Sequence, residues 1–266
     1  MDHLEAKFEK MGARLKVRQL DMDRIITAPP QVNIQSDKDG EYFDIALGSD
    51  SWEVVVIDVR PKQRHLLLML KELGEGGEKG KILCGHDETH WFAAPVANAS
   101  RNVDSAIENL KPPDIREEQD RKGTKRKNRN KRRNDTFVRQ GEWFFTHTPD
   151  LQVDEKMVHH NEPLSRGGGS SPHMMEFCYR RGGQAVMVHP THARLGIGVE
   201  KWHALDDKIR QAGGWNRMTS NAEVFAKGRI SHRDHYTITL PGWHRVAMNE
   251  EQKAAQVVRQ AVTFLD

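Results

Sequence analysis

The spacing of apolar residues changes period several times along the 266-residue chain. Leu4, Phe8 and Met11 recur at helical spacing, and Gly12 follows where a left-handed cap would end a short amphipathic helix. Leu15-Lys16-Val17-Arg18 alternates instead, and Pro29-Pro30 and Asp37-Lys38-Asp39-Gly40 mark turns. Tyr42 to Leu47 and Glu53 to Val59 are the next strand candidates, the second rich in Val and Ile. His65 to Leu70 is apolar on five consecutive residues after its histidine, which fits a strand covered on both faces or a buried helical turn. Lys81 to Cys84 and Trp91 to Ala94 resume the sheet on either side of Gly85-His86-Asp87-Glu88. Ser100 is placed to cap a helix through Val103, Ile107 and Leu110 that Pro112-Pro113 would end.

From Asp114 to Asn134 there is almost no apolar residue after Ile115, so the stretch predicts an exposed helix or a disordered linker. Phe137 to Phe145 returns to a strand pattern, and Met175 to Tyr179 with Ala185 to Val188 predicts a hairpin across Arg181-Gly182-Gly183. At the end, His235 to Leu240 and Trp243 to Met248 flank Pro241-Gly242 as a second hairpin. Asn249 would then cap a helix striped by Ala254, Val257, Val258, Ala261, Val262 and Leu265. The expected fold is α+β, with short-stranded mixed or antiparallel sheets, N- and C-terminal helices and a charged central helix or linker. Its expected divisions are an N-terminal lobe over 1–112, the charged stretch over 113–135 and a histidine-rich lobe over 136–266.

With 36% hydrophobic residues the chain is long enough to bury a core, as one large domain or two small ones. Leu66 to Leu70 is the longest apolar run, far short of the ~20 residues a membrane helix needs, and the opening residues lack the regions of a secretory signal. Cys84 and Cys178 lie in separate apolar stretches and do not read as a disulfide framework, so a reducing, cytoplasmic setting is expected.

The net charge of +3 conceals an uneven distribution. Nine cations fall within residues 121–133 with no acid among them: Arg121, Lys122, Lys125, Arg126, Lys127, Arg129, Lys131, Arg132 and Arg133. Removing those nine charges leaves −6 on the rest. Such a run would bind the phosphate backbone of RNA or DNA by counterion release. It would equally serve as a docking segment for an acidic protein surface, as a nuclear import signal, or as a solvated linker. It has no aromatic residue on which a base could stack.

The 14 histidines invite a metal or acid-base reading. His86-Asp87-Glu88-Thr89-His90 has Asp where the helical zinc protease pattern needs Glu, and its flanks favour a turn between strands. His159, His160 and Glu162 precede the Arg166-Gly167-Gly168-Gly169 loop, with His173 and Glu176 beyond it. That group offers His159, Glu162, His173 and Glu176 as ligands for a divalent ion, Zn²⁺ or Mg²⁺, and Arg166 as a phosphate clamp. The last group, His232, Asp234, His235 and His244 around the terminal hairpin, resembles in outline a ββα metal nuclease finger. That resemblance implies a histidine base acting on water beside a bound metal; His235 or His173 is the candidate base in the phosphodiester reading. The departure is the terminal helix, which is apolar and supplies only Asn249, Glu250 and Glu251.

Nucleophile elbow, dinucleotide fingerprint, Cys-x-x-Cys and kinase signatures are absent. The expected function is therefore nucleic-acid association through residues 121–133, with metal-dependent phosphodiester chemistry in the second half. The alternative is a non-enzymatic interaction protein with a basic docking segment and structural histidines.

Overall fold

The computed structural model describes residues 2–19, 29–47, 51–165 and 171–251, and these form two compact units: 2–135 with 248–251, and 136–247. The α+β expectation is overturned, because among the described residues strands take 49% and helices 19%, in four sheets with six short helices. Strands also form at Gln31–Asp37, His159–Leu164, Ala193–Gly198, Asn216–Ser220 and Glu223–Ser231, where the pattern predicts no element and pairing with neighbouring strands decides the outcome. Among the described residues no helix is long and apolar enough to cross a membrane. The expected C-terminal helix falls on 252–266, outside the described residues.

In the first unit α1 (Asp2–Lys10) precedes β1 (Leu15–Gln19), β2 (Gln31–Asp37) and β3 (Gly40–Leu47). These strands form a sheet ordered β1-β3-β2, with β1 parallel to β3. Strands β4 (Trp52–Arg60), β5 (His65–Glu72), β6 (Lys79–Asp87) and β7 (His90–Val96) follow as an antiparallel meander. The ambiguous run in β5 is a strand covered on both faces. Leu66 and Leu68 pack with Phe8, Met11, Phe43 and Ile45, while Leu67 packs with Leu83, Val103 and Ala106.

Helix α2 (Val103–Leu110) covers that second face. Its cap is Asn102, not Ser100: the Asn102 side chain accepts from Ser105 N, and the Ser105 hydroxyl accepts from Asn102 N. Ser100 is fully buried, where its carbonyl accepts from Lys81 Nζ. The prolines do more than end α2, since Pro113 opens α3 (Pro113–Arg121), a position where a missing N–H costs nothing. A single turn, α4 (Arg126–Arg129), follows. The charged stretch does bury a face, with Ile115 and Gln119 inside.

The second unit holds β8 (Val138–Gln140), β9 (Trp143–His147), β10 (His159–Leu164), β11 (His173–Arg181), β12 (Gln184–His189) and β13 (Ala193–Gly198). After α5 (Val199–His203) and α6 (Asp207–Arg210) come β14 (Asn216–Ser220), β15 (Glu223–Ser231) and β16 (Ile238–Met248). Its sheets are ordered β10-β11-β15-β16-β9-β8 and β13-β12-β14. The hairpin expected across Gly182-Gly183 does not form, because β11 and β12 belong to different sheets. The terminal hairpin is also overturned, since Pro241 and Gly242 lie inside the single strand β16. Leu240 pairs with Gly228 and His244 with Ala226, so three residues of β16 face one of β15, and the bulge accommodates a proline with no N–H to donate.

Candidate metal centre

Pairing of β11 with β15 builds the site. Met174 lies opposite Ser231, which brings His173 at the start of β11 beside the loop that leaves β15. That loop carries His232 and His235, and Gln140 fixes it by donating from Nε2 to the carbonyls of Ile230 (3.2 Å) and Tyr236 (2.7 Å). The β8–β9 turn at Gly141-Glu142 lies against the same histidines, although β8 and β11 stand four places apart in the sheet order. Flat strands that far apart would be separated by roughly 19 Å, so the sheet is strongly coiled here. The bulges at Met175/Phe177 and Ala226/Gly228 supply bending of this kind.

One potential ligand atom from each of His173, His232 and His235 lies within 4.8 Å of the other two. The His173 ring is stacked on the other two, with centroids 4.2 Å from His232 and 5.4 Å from His235, while His232 and His235 are tilted to one another at 4.7 Å. His173 is 1% exposed, and neither of its ring nitrogens has a hydrogen bond. Burial, followed by the neighbouring His232 and His235, lowers its pKa to about 3, so the ring is neutral at physiological pH. His232 donates from Nε2 to the Ser171 carbonyl (3.1 Å) and accepts at Nδ1 from Asp234 N (3.0 Å).

Gly141 bounds the space in front of these rings. A Cβ there would stand 2.7 Å from His235 Nε2 and 3.4 Å from His173 Nε2, and its φ of 55° is one that glycine adopts without strain. Trp143 packs edge-on to His173 at 6.4 Å.

The residue set suits an ion. Three imidazoles are a nitrogen donor set, and unpaired nitrogens on a buried ring are costly unless something binds them. The carbonyl of Ser171 on His232 is the outer partner that ligating histidines normally have. The near-parallel planes also mean that the in-plane lone pairs do not yet converge. The rings must turn, and His232 Nδ1 must release the Asp234 N–H, before all three can bind one ion at 2.0–2.1 Å, as zinc requires.

Of the residues expected to be ligands, only His173 belongs to this group. Glu162 pairs with Arg180 at 2.9 Å. Glu176 accepts from Arg229 N at 2.7 Å inside the bulge, where Gly228 leaves room for its carboxylate. His159 is exposed on β10. His235, expected as a base, lies in the loop before β16 and not on a strand, and His244 is buried with Nδ1 bonded to the Gly242 carbonyl (2.8 Å). The finger outline is lost with its hairpin. Arg166 lies outside the described residues.

Sequence reading missed that His173 and the His232/His235 pair form one cluster. The His-x-x-His spacing is visible, but only strand pairing joins it to a residue about sixty positions earlier. The β6–β7 turn is the two-strand turn anticipated for His86 to His90, with His90 Nδ1 2.8 Å from Glu41.

Comparison with protein-family models, with curated proteins and with solved structures gives no match.

Proposed function

We propose that the second unit binds one late first-row transition-metal ion, Zn²⁺ in the first instance, through His173, His232 and His235. The observation that carries this reading is His173, a buried imidazole with two unbonded nitrogens stacked on two further imidazoles. An all-nitrogen set favours Zn²⁺ over Mg²⁺, which prefers oxygen ligands and retains its waters. In this reading His173 and His235 are ligands. A pKa near 3 also makes His173 a weak general base at neutral pH.

Three protein ligands leave a coordination position for water, and a zinc-bound water ionises near pH 7. The chain's own part is to hold the His173 ring neutral, to fix the His232 tautomer through Ser171, and to keep the front of the site open at Gly141. Hydrolysis is the reaction class this supports, and the phosphodiester expected from the basic segment is the first substrate to assay.

Untagged protein stripped with chelator and titrated with Zn²⁺ and Co²⁺ should take up one ion per chain. Co²⁺ should give a tetrahedral absorption band, and Trp143 emission should be quenched. His173→Ala and His235→Ala should abolish uptake. Sub-stoichiometric binding by the parent protein, or full binding by both variants, refutes the site. Turnover of bis(p-nitrophenyl) phosphate by the loaded protein, absent in His173→Ala, tests the hydrolytic role separately.

A further inference from the structure

The nine cations of residues 121–133 divide into two sets that the sequence does not distinguish. Five are engaged within the first unit. Arg121 and Lys122 pair with Glu118, Arg126 with Asp104, Arg129 with Glu108 and Asp120, and Arg132 with Asp87 and Glu88 in the β6–β7 turn. Neutral bonds tighten the same loop: Gln119 Nε2 donates to the Arg129 carbonyl (3.0 Å), and Thr124 Oγ1 donates to the Asp135 carboxylate (3.0 Å). The other four, Lys125, Lys127, Lys131 and Arg133, are exposed and form no ion pair among the described residues.

We infer that these four cations form a preorganised surface for the phosphate backbone of a nucleic-acid duplex, and that the other five fold the loop. The choice of partner follows from what the loop lacks. Residues 121–133 contain no apolar side chain, whereas a specific protein interface needs a desolvated apolar or aromatic centre. The absence of an aromatic ring disfavours single strands, which are held by base stacking. Backbone binding to a duplex needs neither, only cations on a surface that need not be ordered at the moment of contact. The inference is independent of the metal site.

The number of phosphates engaged is the measurable consequence. Log K against log salt falls with a slope of about −0.9 per phosphate contact, so four contacts give about −3.6 and nine give about −8. Arg126 is 87% exposed, and exchanging Asp104 for a phosphate would raise the count to five and the slope to about −4.5. Full-length protein with chelator present should be titrated against a 20-base-pair DNA duplex, the matching RNA duplex and the single strand, between 50 and 200 mM salt. Across that range affinity should fall about 100- to 500-fold, compared with nearly 10⁵-fold for nine contacts. The variant Lys125→Gln, Lys127→Gln, Lys131→Gln, Arg133→Gln should lose both the affinity and the slope at unchanged Tm. A slope steeper than about −6, no duplex binding at 50 mM salt, or duplex binding retained by the quadruple variant overturns the assignment. So does poly-glutamate that competes as well as duplex at equal charge, which would indicate an acidic protein partner. Tighter binding of either duplex than of the single strand supports the assignment, and a single strand bound as tightly as duplex overturns it.

Discussion

The basic loop of the first unit and the histidine trio of the second are satisfied in opposite ways. In the loop, five cations that looked available are held by six carboxylates from the β6–β7 turn, α2 and α3. In the trio, a histidine that looked like one of fourteen is buried with no hydrogen bond on either nitrogen. Charge density alone is a poor guide to function, because folding neutralises most surface charge locally at little net gain. An unmet polar group in the interior is more informative, since it has a free-energy cost that a ligand can remove.

The largest test of this contrast lies at Glu108, which joins the loop to the interior. It faces both Arg129 and Lys111, and Lys111 is 2% exposed with Nζ 2.7 Å from Glu108 and 2.9 Å from Gln119. Glu108→Ala should cost about 3 kcal/mol in urea denaturation, because it takes the Glu108 carboxylate away from a cation that is almost fully buried. A loss under 1 kcal/mol would mean that the anchoring pairs are dispensable.

Acid comes next. His173 binds a proton near pH 3 when folded and near 6.5 when unfolded, so its contribution is neutral above 6.5 and becomes destabilising as pH falls toward 3. Between pH 6.5 and 5, metal-free protein should lose roughly 2 kcal/mol more than His173→Phe does. Parallel stability curves would show instead that the ring is not held neutral.

Gly141→Ala should cost about 1–2 kcal/mol for a left-handed alanine and weaken metal binding more than tenfold, since its Cβ would meet His235 Nε2. Equal affinity in parent and variant would move the ion elsewhere. The smallest effect is expected at Lys127, where Lys127→Gln should change stability by less than about 0.5 kcal/mol.

Much of the first unit is legible in the chain. The spacing of Leu4, Phe8 and Met11, the alternation of Leu15 and Val17, and the turn at Gly40 each report a local preference that the fold keeps. Reading failed where a distant partner decided the outcome. Pro241-Gly242 resembles a turn in isolation and becomes a bulge only because β15 runs alongside. Asp114 to Asn134 looks unable to pack until the acids of α2 and the β6–β7 turn are placed beside it. The histidine cluster is half visible for the same reason: His173 and His235 both stand out in the sequence, but their grouping depends on the β11/β15 register.

Strand β5 carries a further consequence. A half-buried strand is locked in place because a slip by one residue would turn its apolar side to water. In β5 the leucines on both faces are buried, so such a slip would only exchange one core for the other. Its own side chains therefore encode little about alignment, and that information must come from its ends. The tight turn at Pro61–Gln63, closed by Arg64 N donating to the Pro61 carbonyl at 3.0 Å, is one such marker. Lengthening that turn by one residue should scramble the meander more than any single leucine substitution within it.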